Sequence, residues 1–263
     1  MNRKKLHLDM QPQPDNTTCG PTCLQAVYRY FEDELPLEQV IAEIPSLAEG
    51  GTLAVLLGCH ALRRGYRTNI FTCNLNVLDP SWFQASPDAK RHTSIAATNR
   101  RLIEKLKAQM AVKHSAKLQV ASRAYIEYLQ LGGRLQMQDL NAALLRRFLK
   151  RSIPVLTGLS ATYLYQDKRE LADGTDDDIA GYPSGHFVVL SGYDKEQKEV
   201  GVADPYLPNP LGKARENVHH YEVGLDRLIC AILLGVLTYD ANLLVIEPRR
   251  RFHQKKTVLK QVE

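Results

Sequence analysis

The chain has 263 residues, of which 44% are hydrophobic and 24% are charged, an ordinary composition for a protein that buries its own core. Its apolar segments are shorter than the roughly 20 residues of a membrane-spanning helix, and no apolar signal segment follows the basic start. The five cysteines lack the spacing of a disulfide framework or a zinc site. We therefore expect a cytoplasmic protein with no membrane insertion, no metal and no other cofactor.

The formal net charge of +5 comes entirely from the C-terminal tail, residues 249–263, which holds six Lys or Arg and one Glu. Acidic and basic residues are equal in number over residues 1–248. Short basic ends are usually solvated, so a nucleic-acid partner is the less favoured interpretation. We expect a single domain over residues 1–248, followed by a basic tail.

The first predicted helix starts near residue 18, because apolar side chains recur at i, i+3, i+4 and i+7 from Leu24. Thr18 or Cys19 occupies the N-cap position. Cys19 therefore lies at the positive end of a helix, where the field favours the nucleophilic thiolate. Six residues upstream, the Gln13 side-chain amide is a candidate donor to an oxyanion beside the Cys19 backbone N–H.

Two more helices and a strand are predicted before the chain reaches residue 73. A short helix begins at Pro36, and a longer one has Thr52 as its N-cap and Gly65 as its terminator. Residues 66–72 then form a strand. His60 lies near the apolar stripe of the longer helix, so we interpret it as a structural histidine.

Residues 74–135 are predicted to form an insertion, with turns at 79–83 and 86–88 followed by one or two helices. Residues 90–123 hold nine Lys or Arg and one acidic residue, a net charge of +8. A solvated helix face is the simpler interpretation. The functional alternative is a cap over a cleft that attracts acidic substrates at long range.

A helix over residues 137–150 and a strand over 153–158 lead into a long polar connection, residues 160–184. Connections of this length are usually functional or disordered. This one is acidic, so docking against the basic insertion is a structural alternative to a role with substrate.

Two β-rich segments, 185–194 and 199–205, are separated by four polar residues and predict a hairpin. If its turn is centred on Lys195, His186 lies directly opposite Asp204, and opposed Cβ atoms are roughly 5 Å apart. A carboxylate at that range orients an imidazole and stabilises its protonated form, as in nucleophile–base–orienter triads. This inference depends on the register of the hairpin.

A strand over 218–223, an apolar helix over 225–237 and a strand over 242–247 complete the predicted elements. We expect an α+β fold, in which a helical lobe carrying Cys19 packs against an antiparallel sheet carrying His186 and Asp204. A cleft between lobe and sheet would hold the substrate.

Three motifs together resemble a known family: Gln-x5-Cys-Gly-x-x-Cys-Leu at 13–24, Gly-His-Phe-Val-Val-Leu at 185–190 and Ala-Asp-Pro at 203–205. They are similar to the papain-like cysteine peptidases that remove double-glycine leaders from bacteriocins, and to their stand-alone bacterial relatives. The resemblance covers approximately residues 10–72 and 136–247.

The resemblance implies a papain-like fold with Cys19 as nucleophile, His186 as general base and acid, Asp204 as orienting residue and Gln13 as oxyanion-hole donor. Two features depart from the family. Thr18 stands where the family often has an acidic residue, and no transporter membrane domain or ATPase follows.

The leading hypothesis is a cysteine peptidase acting on a peptide or protein substrate through an acyl-enzyme intermediate. A second hypothesis keeps the same triad but passes the acyl group to an amine, as an acyltransferase or transpeptidase, or acts as a deamidase. A third is a peptide-binding module that has kept the fold and lost the chemistry. The residues alone do not separate the first two, because acceptor choice depends on the walls of the cleft.

Overall fold

The computed structural model describes residues 2–84, 94–212 and 218–249, which form an α+β fold, as expected. The helices are α1 (Cys19–Tyr30), α2 (Leu37–Glu43), α3 (Ala54–Arg63), α4 (Ile95–Val112), α5 (Ala116–Gln130), α6 (Ala142–Leu149), α7 (Ala161–Tyr165) and α8 (Leu225–Leu234). The strands are β1 (Arg3–Lys5), β2 (Arg67–Thr72), β3 (Arg134–Gln136), β4 (Val155–Ser160), β5 (Gly185–Asp194), β6 (Glu199–Ala203), β7 (His220–Gly224) and β8 (Asn242–Glu247).

Three of the predicted features lie outside the described residues: the turn at 86–88, the basic residues at 90–93 and the tail from residue 250 onward. In the described part of the chain, no helix combines the length and the apolar character that crossing a bilayer requires.

One sheet carries the strands in the order β3-β2-β8-β4-β5-β6-β7, and β1 pairs separately with β5. Among the described strands, only β2 and β3 pair in parallel. A parallel pair needs a crossover connection, and α4 and α5 supply it here. The predicted antiparallel sheet is therefore correct except at this edge.

Helices cover both faces of the sheet. Side chains of α1, α3 and α5 form one hydrophobic core with Val189 of β5, and those of α6 and α8 form a second core with Val188. Successive side chains of a strand point to opposite faces, so these two valines belong to different cores. The predicted helical lobe is the first core, and α6 and α8 add a second layer.

The predicted insertion forms two helices, α4 and α5, that belong to the first core. Leu102 and Leu106 of α4 and Tyr125 and Tyr128 of α5 are buried. The Tyr128 hydroxyl accepts a hydrogen bond from Thr68 at 2.9 Å and donates to the Arg134 carbonyl at 3.1 Å. Within residues 94–212, no ion pair joins these helices to the acidic connection.

Two helices begin later than predicted, because side chains cap them at other positions. The Asn141 side chain accepts a hydrogen bond from the Leu144 N–H at 3.0 Å, so α6 starts there rather than at residue 137. Thr52 does not cap α3, because its hydroxyl donates to the Pro45 carbonyl at 3.1 Å. The Ala54 N–H of α3 is bonded by Asp240 instead, at 3.1 Å.

Candidate active site

Cys19 is the first residue of α1 and follows a tight turn. The Asp15 carboxylate accepts hydrogen bonds from the Thr17 N–H and hydroxyl, both at 2.7 Å. Thr18 is the N-cap, and its hydroxyl donates to the Asp15 carbonyl at 3.2 Å. The turn places Cys19 among the unpaired N–H groups of the helix start, where the dipole favours a thiolate.

His186 lies near the start of β5, between Cys19 and Asp204. Its Nε2 is 2.8 Å from Asp204 Oδ1, and its ring is also a hydrogen-bonding partner of the Cys19 side chain. Because Nε2 is bound to the carboxylate, Nδ1 is the nitrogen left to face the sulfur. The three side chains therefore contact one another in series.

Asp204 is fully buried and accepts several hydrogen bonds. The hydroxyls of Tyr165 and Tyr221 each donate to Oδ2 at 2.8 Å, and the Tyr206 N–H donates to Oδ1 at 2.9 Å. Burial alone would raise the pKa of this carboxyl, but the charge of His186 and these hydrogen bonds hold the pKa below its usual value. Asp204 therefore stays ionised in a dry environment.

The predicted contact between His186 and Asp204 is present, but the predicted register is wrong. The turn lies later in the chain than expected, and an irregularity in β5 moves the pairing back by only one residue, so that Val189 faces Ala203. Continuing this pairing puts Asp204 across from Val188. His186 reaches the carboxylate diagonally, which remains within range for a long side chain.

The environment of His186 favours its charged form. Burial opposes the imidazolium, but the adjacent Asp204 carboxylate and the Cys19 side chain outweigh burial and raise the pKa of His186 to about 10. A protonated imidazole beside a sulfur is the electrostatic arrangement that stabilises a thiolate.

Gln13 connects the two parts of the site. Its backbone N–H donates to the carbonyl of Pro205, next to Asp204, at 3.0 Å. Its side-chain Nε2 donates to the Asp15 carbonyl at 2.8 Å, while Oε1 is buried without a partner. One N–H of the amide is thereby held near the turn that precedes Cys19, and the second N–H is left for another acceptor.

Sequence reasoning missed the tyrosines around the imidazole. The ring centroids of Tyr165, Tyr206 and His186 are each 6.0 Å from one another. Tyr165 comes from α7 and Tyr221 from β7, and no local pattern links either residue to the hairpin motif. These rings exclude water from the His186–Asp204 pair and strengthen its electrostatic interaction.

Two cavities meet at His186 and form a cleft. The Asp240 cavity, about 230 Å³, is lined by Cys19, His186, Lys117 and Asp240, among others. The Gln13 cavity, about 170 Å³, is lined by Gln13, His186 and residues of the acidic connection. Asn16 and Gly185 border both cavities, so an extended peptide running through the cleft would pass the thiol and imidazole.

His60 lies apart from this cleft. Its Nδ1 is 2.8 Å from the Tyr28 hydroxyl and its Nε2 is 2.9 Å from Glu43, which fits the structural role predicted for it. The described residues also contain no group of three or more His, Cys, Asp or Glu side chains that could hold a metal ion.

Comparison with known proteins matches residues 5–222 to the Peptidase_C39 like family. No curated protein matches the chain. Among solved structures, the chain is similar to a double glycine motif protease from an AMS/PCAT transporter in complex with the leader peptide, at 12% identity and a TM-score of 0.42, over 94% of this chain and 95% of that one. It is also similar to xylellain, a cysteine protease from Xylella fastidiosa, at 12% identity and a TM-score of 0.42, over 95% and 87%.

The family match spans most of the chain and includes the three motifs on which the resemblance was based. The resemblance to this group of peptidases is thereby confirmed. The chain belongs to the peptidase C39-like family and is a cysteine peptidase.

Proposed function

We propose that Cys19, His186 and Asp204 are the catalytic triad of this peptidase, and that Gln13 supplies an oxyanion donor. The observation that carries the proposal is the series of contacts from the thiol, through a buried imidazole, to a buried carboxylate at the meeting point of two cavities. Each residue has the chemistry and the neighbour that its role requires.

In the first step, the Cys19 thiolate attacks the carbonyl carbon of the scissile peptide bond. The carbonyl oxygen becomes an oxyanion, which receives hydrogen bonds from the Cys19 backbone N–H and the free N–H of the Gln13 amide. The His186 imidazolium then gives its proton to the departing amine as the C–N bond breaks. The product is a thioester between Cys19 and the acyl part of the substrate.

In the second step, neutral His186 takes a proton from a water molecule, and the resulting hydroxide attacks the thioester carbonyl. The C–S bond breaks, releasing the new carboxyl group and returning the thiolate–imidazolium pair. Asp204 keeps the ring oriented throughout and stabilises its charged form.

The proposed substrate is an extended peptide or a peptide segment of a protein. The hypothesis that substrates are acidic depends on basic side chains at the cleft. Of the basic residues described between 94 and 123, Lys117 lines one of the two cavities. The side chains of α4, in contrast, pack with α5 and near β3, at the edge of the sheet away from β5.

The peptidase assignment leaves open whether the acyl group passes to water or to an amine, because the triad is the same for both. We propose water as the acceptor. Incubating the protein with a peptide and excess glycinamide, and weighing the products, tests this choice. A dominant product carrying the glycinamide mass would favour the acyl-transfer alternative.

Thiol labelling with iodoacetamide at mildly acidic pH tests the nucleophile and the binding-module alternative together. We expect rapid labelling of Cys19, because an activated thiolate is the reactive form. Cys23 is the matched control, one turn further along α1: it is fully buried, which raises its thiol pKa, and it donates to the Phe187 carbonyl at 3.2 Å.

Two variants complete the test. Cys19→Ala should abolish peptide cleavage and the fast labelling with the fold intact, whereas Cys23→Ala should keep both. Loss of cleavage in Cys23→Ala alone would reassign the nucleophile. Equal, slow labelling of both cysteines in the wild type would favour a binding module.

A further inference from the structure

Asp240 is a buried carboxylate on the wall of the cleft that the proposed mechanism does not use. It precedes β8, between Tyr239 and Ala241, which have φ values of 70° and 61°. Only 5% of Asp240 is exposed, yet it lines the same cavity as Cys19. A side chain on Gly158 of β4 would come within 2.7 Å of it, so the absence of one there makes room for the carboxylate.

One oxygen of this carboxylate accepts hydrogen bonds from the protein and the other does not, among the described residues. Oδ1 accepts hydrogen bonds from the Ala54 N–H at 3.1 Å and from the Asn242 amide at 3.2 Å. Among residues 2–84, 94–212 and 218–249, no donor is bonded to Oδ2. Oδ2 is not one of the fully buried side-chain atoms that lack a partner, so it is open to the cavity that Asp240 lines, and capping α3 accounts for Oδ1 alone.

The lysine whose charge acts on Asp240, Lys117, has other partners as well. Lys117 lies 3.9 Å from Glu49 and 5.3 Å from the centre of the Tyr239 ring. Burial raises the pKa of Asp240 to about 6, against the lowering effect of its two hydrogen bonds and of Lys117, so the carboxyl is ionised at neutral pH. Apart from the His186 imidazolium, which the Asp204 carboxylate neutralises, the charges described on this wall are two carboxylates against one ammonium.

The Gln13 cavity also has more acidic than basic side chains in its lining. Apart from His186, which is paired with Asp204, its described charged lining is three acidic residues and one lysine, namely Asp167, Glu170, Asp176 and Lys168. Both sides of the cleft thus favour a cationic peptide, and Oδ2 of Asp240 is an acceptor open to the cleft.

We propose that Asp240 is a specificity-determining residue, whose Oδ2 accepts a hydrogen bond from the ammonium or guanidinium group of a substrate Lys or Arg seated in the Asp240 cavity, next to the scissile bond. This inference rests on the proposed function, because it requires a peptide in the cleft. It gives the substrate class as basic peptides, in contrast to the acidic class considered from the sequence.

A randomised library of acetylated, amidated decapeptides tests the inference when the cleavage products are sequenced by mass spectrometry. We expect Lys and Arg to be enriched roughly tenfold or more over Gln and Leu at one position flanking the cut, the effect of one hydrogen bond to a charged group. Asp240→Asn should reduce this enrichment to near unity, since it removes the charge and keeps an acceptor for Ala54.

Glu49→Gln is the matched control, because Glu49 lines the same cavity but is largely exposed. It should retain the preference for Lys and Arg. Persistence of the preference in Asp240→Asn, or equal use of Lys and Gln by the wild type, would overturn the inference while leaving the peptidase mechanism intact. Absence of any cleavage by the wild type would overturn both.

A measurement on the wild type alone tests the same inference without depending on the folding of the Asp240→Asn variant. Lowering the pH through 6 should reduce the ratio of kcat/KM for a Lys peptide to that for its Gln analogue, because Asp240 becomes protonated. The charged or titratable groups around Asp240 are Lys117 and Tyr125 of α5, His186 of β5, Cys19 of α1, and Glu49. The titration of His186 acts on both substrates and cancels in the ratio, so a ratio that is constant with pH would contradict the inference.

Discussion

Asp204 accepts hydrogen bonds from four donors and also carries a negative charge, which a single substitution removes. Asp204→Asn keeps one acceptor oxygen, for either the imidazole at Oδ1 or the hydroxyls of Tyr165 and Tyr221 at Oδ2, and it removes the charge that raises the pKa of His186 to about 10. Burial then dominates, and the pKa of His186 should fall to its usual value or below.

We therefore expect Asp204→Asn to move the alkaline limb of the kcat/KM profile to lower pH, because the imidazolium is lost earlier as pH rises. At neutral pH, kcat should fall by roughly 10² or more, the usual contribution of a well-placed general acid and base. The control is Asp194→Asn, at the other end of β5, which should leave the profile unchanged. An unchanged alkaline limb in Asp204→Asn would show that another group controls it.

Gln13→Ala tests the oxyanion donor. It should lower kcat by roughly 10²–10³-fold with a smaller effect on KM, because the lost hydrogen bond acts mainly in the transition state. Gln11, two residues further from Cys19, provides the control, and Gln11→Ala should retain wild-type kinetics. A lower kcat in Gln11→Ala, with wild-type kinetics in Gln13→Ala, would show that Gln13 is not the oxyanion donor.

At the residue scale, the sequence was informative where a role depends on local spacing. Gln13, Cys19 and the His186 hairpin could be singled out as candidates because each is marked by its near neighbours. Tyr165 and Asp240 could not, since their partners lie 39 and 186 residues away in the chain. Such contacts depend on the tertiary fold, and no periodic pattern records them.

At the scale of elements, periodicity located most helices and strands, and the errors were in their ends and pairing. The start of α6 is fixed by the Asn141 cap, which an apolar pattern does not reveal. The hairpin register depends on an irregularity between Leu190 and Gly192, and a count from the turn alone does not include it.

The docking of α5 against the sheet gives an element-scale prediction at Gly133. A Cβ there would lie 2.4 Å from the buried ring of Tyr128, so Gly133→Ala must displace a ring that bonds Thr68 and Arg134. We expect a loss of about 1–3 kcal/mol in unfolding free energy, typical of overpacking, measured by urea denaturation. Gly201→Ala is the control, because the nearest atom to its Cβ is 3.4 Å away, and it should have little effect.

At the scale of the whole molecule, the site exists because two distant parts of the chain are held together. The bond from Gln13 to Pro205 ties the segment before the nucleophile to the segment after the carboxylate. The sequence predicted a helical lobe facing a sheet, which is this arrangement. It did not predict the second core on the other face of the sheet. The apolar face of an amphipathic helix shows that the face is buried, but not on which side of a sheet the helix packs.

The distribution of charge gives the last prediction. The chain is basic overall, but the described linings of its cleft are acidic, and attraction between exposed charges is screened over about 8 Å at physiological ionic strength. Activity on a Lys-rich peptide, measured as kcat/KM, should therefore fall with added salt, while activity on a neutral peptide changes little.

Substitution of four basic residues of α4 distinguishes attraction of basic peptides by the cleft from attraction of acidic peptides by the basic helices. The four residues are Arg100, Arg101, Lys105 and Lys107. None of them is among the residues that line the two cavities, and Arg101 donates to the Trp82 carbonyl at 3.0 Å. Replacing all four with Gln should leave the salt response to the Lys-rich peptide unaltered, because their field is screened before it reaches the cleft. The opposite outcome is that activity on a Glu-rich peptide falls with added salt and that the four substitutions reduce this fall. That outcome would contradict the prediction and would show that the basic helices attract acidic substrates.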